Sequence, residues 1–348
     1  MTQPGDNSTA VLLLAHGTPN VLGEMPAYLA NVTGGRALPP SVVAELQHRY
    51  AQIGLGETPT PEPPPLTRWT LAQARLLESA LAAEGHPLRV YAAMRNWHPF
   101  IPEVVAKMRA HGVTRILAIC LAPQNSSTST GLYRRALTAA LDAEAAQNPS
   151  APKPHLTFIE SWSEEPSLIE AFAQRLIELC TKLGAPRLDS ETWDMDPLNN
   201  SSAESLPILF TAHSVPCRTI QSSEPSPTPD PYPVEAKHTA ALVFASAAHL
   251  LPNLKKWYFA FQSQGVSGGP WIGPTVEDTL AAIAAEGHSA VVLQPIGFLS
   301  DHVEILYDID IAFAATARTL GLRLYRTESL NDSPLLTEAL LHVVLGNL

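Results

Sequence analysis

Twice in this chain an apolar run of strand length ends in a similar phrase, Leu14-Ala15-His16-Gly17-Thr18-Pro19 and Thr211-Ala212-His213-Ser214-Val215-Pro216. The parallel continues in order. A glycine turn precedes the third apolar run of each half, at Gly112 and Gly287. At the far end, Ser163-Glu164-Glu165-Pro166 and Asn331-Asp332-Ser333-Pro334 each set a capping residue before a proline at the first helical position. Apolar runs at 11–15, 88–94, 116–121 and 156–159, and again at 208–212, 257–261, 290–293 and 322–325, alternate with helical segments. Strand alternating with helix predicts parallel sheets. The chain is therefore read as a duplicated α/β unit. Residues 1–183 form a first lobe, the polar, aperiodic stretch 184–206 a linker or surface excursion, and 207–348 a second lobe whose last helix is expected to pack back on the first.

Ligands of open parallel sheets lie beyond the carboxyl ends of the strands. His16 and His213, each just past the first strand of its half, are thus candidates for one interdomain cleft, although an imidazole there also serves as a plain loop cap. Composition narrows the chemistry. Lys plus Arg is 22 against 33 Asp plus Glu, a net charge of −11 that suits no phosphate backbone, so no nucleic-acid partner is expected. With 45% hydrophobic and 16% charged residues the chain is not intrinsically disordered. No apolar run approaches the roughly 18 residues of a membrane-spanning helix. The polar start lacks the Lys or Arg of a secretory signal, and Cys120, Cys180 and Cys217 supply neither a disulfide framework nor a CxxC site. A reducing, cytoplasmic location is expected. Ten of the 32 prolines fall in residues 59–65 and 225–233, which are predicted to be extended loops.

The densest chemistry follows the third apolar run of the second half, where Asp301, Glu304, Asp308 and Asp310 stand among apolar residues. If the chain is helical from Val303, Glu304 and Asp308 share a face at i and i+4. Stacked carboxylates suit a hydrated divalent cation or a proton relay, and equally a solvated helix face. Residues 124–130, Gln-Asn-Ser-Ser-Thr-Ser-Thr, are a hydroxyl cluster fit to bind a carboxylate or to cap a turn. Glycine-rich phosphate cradles are missing, since 265–269 opens no helix, and Ser214 lacks the flanking glycines of a nucleophile elbow.

Taken together, these motifs resemble the ferrochelatase family. In the second half they are Ala212-His213-Ser214-Val215-Pro216, Pro231-Tyr232-Pro233, Phe261-Gln262-Ser263, Trp271-Ile272-Gly273-Pro274, Pro295-Ile296-Gly297-Phe298 and Asp301-His302-Val303-Glu304. The first half agrees through His16-Gly17-Thr18-Pro19, Arg49-Tyr50, Met94-Arg95, Pro99-Phe100-Ile101 and Ala122-Pro123-Gln124 with Ser126 and Ser129. The resemblance implies a class II chelatase-like α/β fold, two Rossmann-like lobes each with a four-stranded parallel sheet flanked by helices, and a porphyrin cleft between them. It implies Fe²⁺ as a substrate inserted into a porphyrin, protoporphyrin IX or coproporphyrin III, late in haem synthesis. It implies His213 and Glu304 as catalytic and metal-site residues, Asp308 as the next acid, and His16, Arg49, Tyr50, Ser126, Ser129 and Tyr133 as porphyrin contacts. A cytoplasmic monomer using no nucleotide is expected, compatible with peripheral membrane contact.

Three departures stand out. His16 occupies a position where coproporphyrin-using members commonly have tyrosine, so an imidazole is expected on the axial face of the iron, where tight ligation would slow product release. Ala312 stands where a further carboxylate often lies, and Pro64-Pro65-Leu66, behind an insertion at 58–63, replaces a Ser-Pro-Leu turn. No C-terminal cysteine set exists, so no iron–sulfur cluster is expected. Two alternatives remain: a cobalt or nickel chelatase of another tetrapyrrole, and a haem or porphyrin carrier without turnover, which His16 favours and the joint presence of His213 and Glu304 opposes.

Overall fold

The computed structural model describes residues 8–149, 152–185, 206–221, 229–265 and 269–348. Most of the predicted linker at 184–206 and part of the second proline run lie outside the described residues. In chain order the first sheet and its helices are β1 (Thr9–Ala15), a short turn (Leu22–Glu24), α1 (Met25–Val32), α2 (Pro40–Gln52), α3 (Pro65–Ala83), β2 (Arg89–Met94), α4 (Ile101–Ala110), β3 (Arg115–Cys120), α5 (Thr130–Gln147) and β4 (His155–Ile159). Then come α6 (Pro166–Lys182), β5 (Ile208–His213), α7 (Cys217–Ile220), α8 (Tyr232–Ala248), β6 (Trp257–Gln262), α9 (Val276–Ala285), β7 (Ala290–Pro295) and α10 (Val303–Leu306). A π-helical turn (Asp308–Phe313), α11 (Ala314–Thr319), β8 (Arg323–Arg326) and α12 (Pro334–Leu345) complete the chain.

All eight predicted strands are present. They form two four-stranded parallel sheets with matching orders, β2-β1-β3-β4 and β6-β5-β7-β8, the topology expected of a duplicated unit. β1 is a continuous apolar run because both faces of a central parallel strand are covered. Ala10, Leu12 and Leu14 pack with Ile101, Val105, Met108 and Leu137 from α4 and α5, and Val11 and Leu13 on the other side are also fully buried. In the second sheet Leu209, Val291 and Leu293 pack against Val276, Leu280 and Ile283 of α9.

The chain divides into two compact units, one of Met1–Trp162, Ser300–Val303 and Asn331–Leu348, the other of Ser163–Leu299 and Glu304–Leu330. The lobe boundary expected at residue 183 therefore lies at Trp162. The cause is α6, which buries Leu168, Ala171, Phe172 and Leu176, packs on α8, and gives the Phe172 carbonyl to Gln294 Nε2 at 2.7 Å. In the first unit α12 packs on α3. No helix among the described residues is long and apolar enough to cross a membrane.

Candidate functional site

β5 is wholly buried from Ile208 to Ala212 and ends on His213, which is half-buried. The chain leaving β7 passes close over this strand end at Gly297, where an added Cβ would lie 3.0 Å from that of Ala212. Nδ1 of His213 faces the carbonyl oxygen of Ser214. A carbonyl only accepts, so Nδ1 carries a hydrogen, and the neutral ring keeps its lone pair on Nε2. That nitrogen lies 3.6 Å from Oε1 of Glu304, with the two side chains 36% and 29% exposed. The separation exceeds a hydrogen bond. Two acceptors facing one another repel when both are unprotonated, and a shared cation satisfies them, whether a proton that makes the imidazolium or a metal ion.

Glu304 sits in α10, a single turn, and the helix does not continue regularly. The carbonyl of Tyr307 accepts from both Ile311 (3.1 Å) and Ala312 (3.0 Å), the second being the i+5 bond of a π turn. The i, i+4 helix expected from Val303 is thus interrupted between Glu304 and Asp308. The apolar pattern supplies the reason. Ile305, Ile309, Phe313 and Ala317 all enter the core of the second sheet at four-residue spacing. In an unbroken α-helix that spacing drifts by about 40° per repeat, and one wider turn takes the drift back. Asp310 anchors the turn through a two-pronged pair with Arg326 of β8, at 2.6 and 2.9 Å. Asp308 Oδ2 accepts the Ser263 hydroxyl at 2.5 Å, and Ser263 adopts φ +61°, a left-handed backbone unusual for a side-chain-bearing residue.

Behind His213, the Tyr232 hydroxyl donates to its backbone carbonyl at 2.9 Å. Burial pushes the Tyr232 phenol well up from the usual tyrosine range, and the charge on Glu304 adds to the shift.

The other predicted contacts lie in the first unit. His16 follows β1, where Gly17 at φ +89° turns the chain against the Trp97 backbone. Its Nε2 lies 2.9 Å from Asn96 Nδ2, and its Nδ1 lies 3.1 Å from the Tyr28 hydroxyl and 3.2 Å from the Gly17 carbonyl. Tyr50 is buried in the same cluster with Tyr28, Trp97 and Val303. Arg49 is half-buried and pairs with Glu45 one turn back on α2, 3.0 Å away. Ser126 and Thr130 close a self-capped turn, the Ser126 N–H donating to Thr130 Oγ1 at 2.9 Å, and Ser129 caps α5 without a side-chain bond. Tyr133 is buried against Ile101, Val104 and Leu137, with the Arg95 guanidinium 5.7 Å from its ring centre. A cavity of about 200 Å³ beside Tyr50 is lined by Thr58, Thr60, Arg68 and His302, so the insertion brings hydroxyls of its own.

Sequence reasoning gave no role to Tyr28, Asn96, Tyr232 or Gln262. The last two stood within quoted motifs, but a motif does not say where a side chain points.

Comparison with known proteins gives a consistent answer. The family model described as Ferrochelatase matches residues 8–348. A protein from Acidobacterium capsulatum named ferrochelatase is 51% identical over 96% of this chain and 93% of its own length. One from Geobacillus thermodenitrificans named coproporphyrin III ferrochelatase is 29% identical over 98% of this chain and 96% of its own. Among solved structures, SirB from Bacillus subtilis with Fe³⁺ shares the fold at a TM-score of 0.50 and 12% identity, covering 97% of this chain and 94% of its own.

Proposed function

The chain belongs to the ferrochelatase family, so its reaction is the insertion of ferrous iron into a porphyrin, and we propose that His213 and Glu304 carry that reaction. The names of the relatives do not favour a carrier without turnover, or a cobalt or nickel chelatase.

The supporting observation is the 3.6 Å gap between two acceptors, Nε2 of His213 and Oε1 of Glu304. A free-base porphyrin carries two pyrrole N–H protons. Iron replaces both, so each turnover takes up Fe²⁺ and releases two protons with no change in electron count. His213 Nε2 takes a pyrrole proton, and the Glu304 carboxylate lies opposite the imidazolium that forms. Asp308 is the next carboxylate along the chain and receives the outgoing proton. Tyr232, held protonated by burial, orients His213 and gives up no proton. His16, Arg49, Tyr50, Ser126, Ser129 and Tyr133 are assigned to the porphyrin.

The enzyme acts late in haem synthesis as a cytoplasmic monomer, without an iron–sulfur cluster or nucleotide. Anaerobic mixing with Fe²⁺ and porphyrin tests the reading: the free-base spectrum converts to metalloporphyrin over many turnovers. One stoichiometric conversion that then stops would establish a carrier instead. Coproporphyrin III and protoporphyrin IX compared side by side identify the substrate.

A further inference from the structure

Gln262, the last residue of β6, is 2% exposed. It is the register partner of His213 across the β5–β6 ladder, and its own carbonyl accepts the Ser214 N–H at 2.7 Å. The side chain bridges elsewhere. Nε2 donates to the backbone carbonyl of Glu304 at 2.8 Å and lies 3.3 Å from Ser263 Oγ, while Oε1 accepts the Thr211 hydroxyl at 2.6 Å. Thr211 is fully buried in β5, two residues before His213. The amide orientation is dictated by chemistry: the Glu304 carbonyl only accepts, so the NH₂ group must face it, and Oε1 is left for the hydroxyl.

We infer that Gln262 is a positioning residue for iron insertion, one buried amide that ties the turn bearing Glu304 to the strand bearing His213 and so sets the gap between them. This rests on the assignment of His213 and Glu304 as the reacting pair. The need for such a tie is visible in α10, which has four residues and then breaks at the π turn, so its internal ladder does little to hold it. Gln262 acts through the backbone, and its effect on the reaction comes from distance, to which a reacting pair is steeply sensitive.

Gln262→Met keeps the length of the side chain and removes all three of its hydrogen bonds. The double variant Thr211→Val/Gln262→Met also removes the stranded hydroxyl and serves where the single variant folds poorly. In whichever folds, porphyrin binding read by fluorescence quenching stays at the wild-type level, while kcat/KM for Fe²⁺ falls on the order of tenfold. A purely structural residue would lower the melting temperature and leave that ratio alone. Wild-type iron kinetics in the folded methionine variants overturns the inference. Turnover that survives in His213→Ala overturns the reading beneath it and this inference too; loss in His213→Ala beside normal Gln262 variants overturns the positioning role alone.

Discussion

The Tyr232 hydroxyl holds the backbone carbonyl of His213 at 2.9 Å from a site where the phenol is almost wholly buried. Tyr232→Phe leaves that carbonyl unpaired and is expected to destabilise the fold by about 1–3 kcal/mol, measured by urea unfolding. The raised phenol pKa has a further, pH-linked effect. The unfolded chain ionises this tyrosine near pH 10 and the folded chain does so only at higher pH, so its contribution is complete below pH ~10 and declines above it. The alkaline fall in stability should be shallower in Tyr232→Phe than in wild type.

His213→Ala should abolish iron insertion and leave porphyrin binding in place. Glu304→Gln keeps the shape of the side chain and removes the charge opposite the imidazole, and should lose at least ~10²-fold in kcat. A stopped-flow rate within the wild-type range for either variant removes it from the reacting pair.

His16 was read as a residue whose imidazole could grip product iron. In the folded chain both ring nitrogens have neighbours, Nε2 the Asn96 amide and Nδ1 the Tyr28 hydroxyl. His16→Phe is therefore expected to release metalloporphyrin no faster than wild type and to leave the visible spectrum of the bound product unchanged. Faster release would mean that the imidazole ligates the metal.

Gly17→Ala should destabilise by about 1–3 kcal/mol, because φ is +89° and the new methyl would sit 2.9 Å from the Trp97 nitrogen. Equilibrium unfolding in urea reads the shift, and an unchanged midpoint would show that the Trp97 segment yields freely.

Alkylation should separate the three thiols. Burial pushes Cys180 up to about 12 and Cys120 higher still, so neither offers thiolate at neutral pH. Cys217, half-buried on α7, should label first in native protein, with the other two following only after denaturation, as mass spectrometry would record.

The strand positions were legible because a buried parallel strand writes itself as an unbroken apolar run, and the eight runs needed no tertiary information. His213 and Glu304 were legible through resemblance, and their proximity through none of the residues alone. The π turn was not. Ile305, Ile309 and Phe313 fit an α-helical stripe nearly as well, and only the packing of all of them together with Ala317 selects the wider turn. The destination of α6 was equally hidden, since an amphipathic helix advertises an apolar face without naming what it covers. Tyr232 and Gln262 share that difficulty: their partners are main-chain carbonyls, which every residue offers.

The allocation of α6 and α12 bears on how such a gene can be divided. Split after codon 183, neither fragment would be self-sufficient: the longer would carry α6 stripped of α8, and α3 without α12 to cover it, while the shorter would face the converse deficit. The halves run parallel in sequence, yet each is expected to need the other, and only a pair produced together should reconstitute an active enzyme.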